Sequence, residues 1–422
     1  MDGASRRSVA VVGAGVSGLT AAWILQRHTE VTLYEALPRL GGHAHTHDVR
    51  AGDHDVAVDS GFIVHNERTY PNLLRLFSEL GVATRETEMS MSVHCDGCGL
   101  EYAGAKGLGG VFAAARSLRN PAYLRMLGEV KRFHGAARRL LDRVEAEPRT
   151  LGEFLREGRY SKYFVQHFVV PVVSCVWSCS PNTALAYPAR YLFRFLDHHG
   201  LLSVSGSPTW RTVVGGSRTY VERAAKELAA VRVGAPVRAV SRESSGVAIR
   251  DADGTTARYD AAVIATHADE ALALLAEPTP EQRRILGAFD YSINRTVLHT
   301  DSTVLPTNKR VRASWNYRLD ACATAADRVQ VSYDMNRLQG LTEPVDYVVT
   351  LNADERISAD RVIAEMQYSH PIYTSTALQA QKGLPTLSDD VIAFAGAYHG
   401  WGFHEDGCVS GVRAAGSLGV SW

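Results

Sequence analysis

Three hydrophobic patterns divide the chain. From Ser8 to Tyr34, an apolar run (SVAVV), an apolar stretch of helical length (VSGLTAAWILQ) and a second apolar run (VTLY) follow one another with few residues between. Unbroken apolar runs of this length read as strands buried on both faces, the form that parallel sheets take. Residues 111–202 instead place apolar positions at helical spacing, most clearly in FAAARSLRNPAYLRMLGEVKRFHGAARRLLDRV, which predicts a mostly helical region. Residues 290–375 alternate (TVLHT, VQVSYDM, DYVVTLN) and predict strands. No internal repeat or low-complexity linker interrupts these patterns, and the expected fold class is α/β.

The first pattern carries chemistry. Gly13, Gly15 and Gly18 form GxGxxG between the first strand and the helix. The first glycine allows a tight turn, the second lets backbone approach a pyrophosphate, and the third lets helix pack on strand. Ser17 lies among them on the first helical turn, where amides point at a bound anion. Glu35 ends the second strand at the spacing where a carboxylate binds a ribose hydroxyl. GxGxxG alone is weak evidence. Strand, glycines, helix, strand and acid in this order make a dinucleotide site of a Rossmann-like domain.

Composition narrows the setting. At 422 residues the chain exceeds one ordinary core, so two or more domains are expected. A formal net charge of zero offers nothing to nucleic acid or to an anionic membrane. Six cysteines suit free thiols in a reducing compartment, and a cytoplasmic location is expected. Arg6-Arg7 before an apolar stretch imitates an export signal, but three glycines break that stretch and no signal peptide is expected. No apolar run approaches the ~20 residues of a membrane span.

The segment after Glu35 identifies the dinucleotide by resemblance. EALPRLGGHAHT resembles the E-x-x-x-R-x-G-G segment of the flavin amine oxidase and phytoene desaturase superfamily, whose cofactor is FAD. TVVGGSRTYVERAAKEL, APVRAV, YDAAVIATHADEAL and FAGAYHGWGFHEDGCVSGVRAAGSLG resemble later elements of that superfamily, in the same order. GGHAHT, NERTYPNLLRLFSELGV, WSCSP, HADEALALL, NRLQGL and GFHEDG are similar to a bacterial branch of flavoproteins often encoded beside cyclopropane-fatty-acid synthases. The resemblance implies an amine-oxidase-like fold. Segments 1–75, 205–270 and 385–422 would build the FAD-binding domain. An interleaved α+β substrate domain would comprise a mostly helical cap (76–204) and a sheet over the flavin (271–384). It also implies that Arg39, Gly41, Gly42 and His43 pass near the phosphates and ribityl chain, that Val237 backs the adenine, and that Gly396 and Phe403 lie at the flavin. The superfamily commonly carries an acid directly after FAG. Here Ala397 stands in that place, with Glu405, and Asp406 beside it, as substitutes downstream. His399, Trp401 and His404 are the expected catalytic contacts.

Two other constellations have plainer readings. His43, His45 and His47 alternate, so an extended strand puts them on one face, yet no matching acid or cysteine cluster is evident to close a metal shell. Cys95-Asp-Gly-Cys98 is a CxxC, but Asp-Gly is a strong hairpin signal and no second pair follows; a turn is expected and no metal. The aromatic stretch 169–202 supplies Trp177, Tyr187 and Phe195 as core or as walls of a tunnel. Trp315 and Asn316 are equally loop or site.

The expected activity is an FAD-dependent oxidoreductase taking hydride from a carbon of an apolar, fatty-acyl or polyketide-like substrate, with C–C desaturation. A redox-neutral double-bond isomerase, an amine oxidase and a non-catalytic binding protein of the same fold are the alternatives. The intact Gly13, Gly15, Gly18 and Glu35 argue against the last.

Overall fold

The computed structural model describes residues 6–104, 107–113, 117, 119–143, 149–203, 206–322, 329–353 and 355–422. Its centre is a five-stranded parallel sheet in the order Ala230–Arg232, Glu30–Tyr34, Ser8–Val12, Ala261–Ile264, Ile392–Phe394. The strands come from three well-separated stretches of chain. The inner strands are apolar because both faces are covered, one by the helices Val16–Leu25 and His404–Ser417 and the other in part by a small sheet carrying Val240 and Ile249, and the middle strand is buried from Val9 to Val12.

The helix Val16–Leu25 is buried along its whole length and lies against the C-terminal helix His404–Ser417. Glycines set their separation. A Cβ on Gly407 would meet Val16 Cγ1 at 2.6 Å, and one on Gly411 would meet the Ser17 carbonyl at 2.4 Å. Because 407 faces 16–17 and 411 faces 17–21, the two helices run parallel with their N-termini side by side.

A seven-stranded sheet forms the second layer, in the order Val362–Ile372, Asp290–His299, Val348–Leu351, Val331–Asp334, Trp315–Leu319, Met91–Cys95, Leu100–Ala103. It is antiparallel except where Trp315–Leu319 runs parallel to Met91–Cys95. The last two strands are a hairpin turning at residues 96–99, so the stretch 76–204, whose longer elements are helices, also edges the sheet. The helices Pro121–Asp142, Leu151–Glu157, Val170–Trp177 and Ala189–His198 pack into one large core with this sheet. The boundary drawn at 75 also needs correction. It cuts the helix Pro71–Glu79, whose Leu73, Leu76 and Phe77 pack into the core of the nucleotide-side layer. Among the described residues, no helix is long and apolar enough to cross a membrane.

Candidate active site

The glycine motif folds as a cradle. Gly13 takes φ +101°, donates its amide to Tyr34 O, and leaves no room for a Cβ, which would sit 2.7 Å from Ala265 O. A Cβ on Gly18 would lie 1.9 Å from Gly13 O, so the helix can approach the strand only through glycine. Gly15 differs: a Cβ there would meet nothing within 4 Å. It caps a helix that has no side-chain cap and no acidic residue in its first turn. The amides of that turn therefore have no acceptor from the cap or from an acid, which is the form of an anion site.

The Arg39–His43 segment folds back onto this turn. Gly41 donates to Ala14 O at 2.8 Å with φ +107°, and Gly42, at φ +57°, leaves only 3.1 Å between a Cβ and Gly15 Cα. Arg39 donates to the Gly42 carbonyl at 2.9 Å, which holds its guanidinium beside the same turn. Glu35 accepts from the Ala14 and Leu37 amides at 2.8 and 2.9 Å, joining the two loops from the end of its strand. His43 Nε2 is buried with no hydrogen-bond partner, and so are His399 Nε2 and Trp401 Nε1. Buried polar atoms of this kind each call for a partner. His43 stays neutral because burial, followed by the nearby His370 and His267, pushes its pKa well below 6.5. An open trough over Gly15, uncapped helix amides, an adjacent guanidinium and an orphaned ring nitrogen fit a dinucleotide. Val237 begins the strand Val237–Glu243, opposite Asp251 in a three-stranded sheet, and Ala235 donates to Glu35 O two residues before it.

The other two of the three alternating histidines, His45 and His47, are bonded within the scaffold. His45 pairs with Tyr368 Oη at 3.1 Å and His47 Nε2 with Ser60 Oγ at 2.9 Å, their rings 4.0 Å apart where the chain enters the strand Thr46–Ala51. Thr46, facing the other way, bonds Asp59. Asp59 is fully buried and accepts from the Ser217 amide and hydroxyl, Thr46 Oγ1 and Gln339 Nε2. Burial raises its pKa to about 6 against those bonds. This hub joins three distant segments and was not read from the sequence; its one signal is an acid closing an apolar strand in VAVDSG.

The C-terminal loop divides between cradle and cavity. Gly396 donates to Ser410 Oγ, and a Cβ there would strike the Tyr398 ring. Two expected site residues are engaged within the protein. Glu405 borders the cavity, and its oxygens accept from Asn72 and Leu73 amides and from the Asn72 side chain, capping the helix Pro71–Glu79. His404 is not among the residues that line the cavity. It stacks 3.7 Å from Phe62, pairs with Tyr220 Oη at 3.2 Å, and is held neutral by burial, with a pKa of about 3. His399 lies against Tyr398, its pKa lowered to about 4 by burial.

Trp401 and Phe403 line a cavity of about 400 Å³ with Arg68, Tyr70, Phe195 and His198. Phe403 stacks on Phe195 at 4.7 Å, and the indole of Trp177 donates to Trp401 O. Tyr187 packs on Trp177 in the core behind this wall, its hydroxyl buried without a partner. Asp406 also borders the cavity, but its carboxylate accepts from the Phe403 amide at 2.9 Å and caps its own helix. Burial raises its pKa to about 6. Trp315 and Asn316 belong to the sheet; Asn316 is buried and bonds Ser92, Ala313 and Ser332.

Comparison with known proteins agrees with this geometry. The family described as "Flavin containing amine oxidoreductase" matches residues 16–336. Coproporphyrinogen III oxidase of Mycobacterium leprae (strain TN) is 25% identical over 387 residues, covering 84% of this chain and 81% of that protein. Among solved structures, wild-type putrescine oxidase bound to putrescine superposes with a TM-score of 0.68 at 16% identity, covering 98% of each chain. A CLA-producing fatty acid isomerase from P. acnes superposes at 0.66 with 15% identity, covering 97% of each. At these identities the structures establish the fold, and the family match establishes the cofactor class. The chain belongs to the flavin-containing amine oxidoreductase family and is an FAD-dependent oxidoreductase.

Proposed function

We propose that the enzyme removes hydride from a C–H bond of an apolar substrate and desaturates a C–C bond. FAD held in the cradle would supply the two-electron acceptor for the hydride, and the proton of the neighbouring carbon would leave to solvent. The supporting observation is the cavity and its position. It is walled by Phe195, Trp401, Phe403 and Tyr70, and it shares the Phe403–Gly407 turn with the cradle, because Gly407 lies against Val16 and Ser17 of the nucleotide helix. Both carboxylates on its wall are already engaged by backbone amides, while Arg68 and His198 also border it. A cationic amine would find no unengaged acid there, and an apolar chain finds aromatic surface. The residues of this wall position the substrate and exclude water.

The test is anaerobic mixing of the holoenzyme with long-chain fatty acids and their thioesters, and with primary amines and polyamines, following the visible flavin band. Bleaching by an acyl compound, with a product two hydrogens lighter, supports the reading. A product of unchanged mass would replace it by isomerisation, and bleaching by amines alone would overturn it.

A further inference from the structure

The sequence offers one cysteine pair and, with no second pair, no metal. The fold supplies the missing partners. Cys95 and Cys98 sit at the hairpin turn, Cys322 follows the strand Trp315–Leu319 that pairs with Met91–Cys95, and His167 projects from the turn Val165–Val169. Their three sulfurs and one ring nitrogen lie within 4.8 Å of one another. Cys95 Sγ is 3.7 Å from Cys322 Sγ, and Cys98 Sγ is 3.7 Å from His167 Nε2. Zinc–sulfur bonds of ~2.3 Å in a tetrahedron place ligand atoms roughly 3.8 Å apart, and these two edges match that spacing.

The surroundings complete the pattern. His167 Nδ1 faces the Tyr163 carbonyl at 3.0 Å, so a proton on Nδ1 is donated there and the Nε2 lone pair is left toward the sulfurs. The segment carrying His167 is wound as a π-helix, a form that often marks a functional position. Tyr102, on the second hairpin strand, donates to His167 O at 2.7 Å, and Tyr163 stacks over the imidazole at 4.1 Å. The turn approaches Cys322 closely only because residue 97 is glycine: a Cβ there would lie 2.9 Å from Ala321 Cα and 3.0 Å from Cys322 N.

We infer that Cys95, Cys98, Cys322 and His167 bind a structural zinc ion. With three thiolates and one imidazole its shell is closed, so it holds structure and carries no reaction. It would fasten the sheet edge to the helical layer. The chain runs directly from His167 into the helix Val170–Trp177, whose Trp177 indole bonds the Trp401 carbonyl at the substrate cavity. The zinc therefore braces one wall of that cavity from outside.

The first test is elemental analysis of the purified full-length holoenzyme, with flavin counted in the same sample. About one zinc per chain that survives dialysis against a mild chelator is expected. A thiol reagent should release it as three thiols react. Exchange with cobalt(II) should give the visible bands of a tetrahedral thiolate complex, a readout independent of any variant. Cys322→Ser and His167→Gln should lose the zinc while keeping FAD, and should raise KM more than they lower kcat. Absence of zinc with three freely reactive thiols, a disulfide within the group, or a cobalt spectrum without thiolate bands would each overturn the assignment. Loss of zinc with an unchanged KM would overturn the bracing role. The zinc, thiol and cobalt readouts need no substrate, so the zinc assignment and the proposed function fail separately; only the bracing role is read through KM.

Discussion

The nucleotide cradle and the substrate cavity are built on opposite terms. The cradle is backbone: Gly13, Gly15, Gly18, Gly41 and Gly42 set its shape, and five of its contacts involve main-chain amides or carbonyls. Backbone chemistry needs fixed spacing along the chain, and its residues lie within thirty positions. The cavity is side chain, gathered from 68–71, 195–199 and 401–406, three segments that only the fold brings together. The cysteine cluster is of the second kind. Its ligands sit at 95, 98, 167 and 322, and only the fold brings them together.

The glycines sharpen this contrast most. Gly18→Ala should abolish soluble protein, since its Cβ would sit 1.9 Å from Gly13 O and relief requires moving helix from strand, at a cost above about 3 kcal/mol. Gly15→Val should behave differently. Its side chain enters open space, so the protein should fold with an unchanged circular dichroism spectrum yet purify without flavin. Flavin retained at full stoichiometry in that variant would break the assignment of the trough to the pyrophosphate.

Acid should weaken the molecule next. Burial depresses His65, His134, His199, His299, His370 and His399 to about 4 and His45 and His404 to about 3. Each contributes stability that is present above the unfolded value near 6.5 and is lost as pH falls through the folded value. Asp59 and Asp406, raised to about 6, have the opposite sign: their contribution is full below about 4 and fades as pH rises through 6. Eight groups outweigh two, so the thermal midpoint should drop steadily from pH 6.5 to 4, read by flavin fluorescence on release. A flat or rising midpoint across that window would contradict the buried neutral histidines.

Cavity and cradle should also separate under smaller changes. Trp401→Ala should keep the flavin spectrum while raising KM by roughly tenfold or more. Glu405→Gln should cost roughly 1–2 kcal/mol in denaturant melts, through the cap on Asn72 and Leu73, without loss of FAD. Loss of FAD in Glu405→Gln would return that carboxylate to the cofactor.

The nucleotide strands and the glycine turn were legible because periodicity and spacing are local properties of the chain. The contacts of Glu405 are not legible for the complementary reason: nothing near it in sequence reveals that Asn72 and Leu73 lie against its carboxylate. His404, in a segment rich in polar and aromatic groups, turned out to be packed between Phe62 and Tyr220 from distant segments. Within the mostly helical stretch 76–204 the hairpin is hard to read, because its strands are short and edge a sheet whose other members lie about two hundred residues on. Asp59 was hidden because its four partners come from 46, 217 and 339.

The most direct test of the central claim is the anaerobic titration of the purified, flavin-loaded protein with a long-chain unsaturated fatty acid and, in parallel, with putrescine. The account predicts bleaching of the flavin band by the fatty acid, a product two hydrogens lighter, and no response to the diamine. Bleaching by putrescine with aldehyde released, and none by any acyl compound, would contradict it.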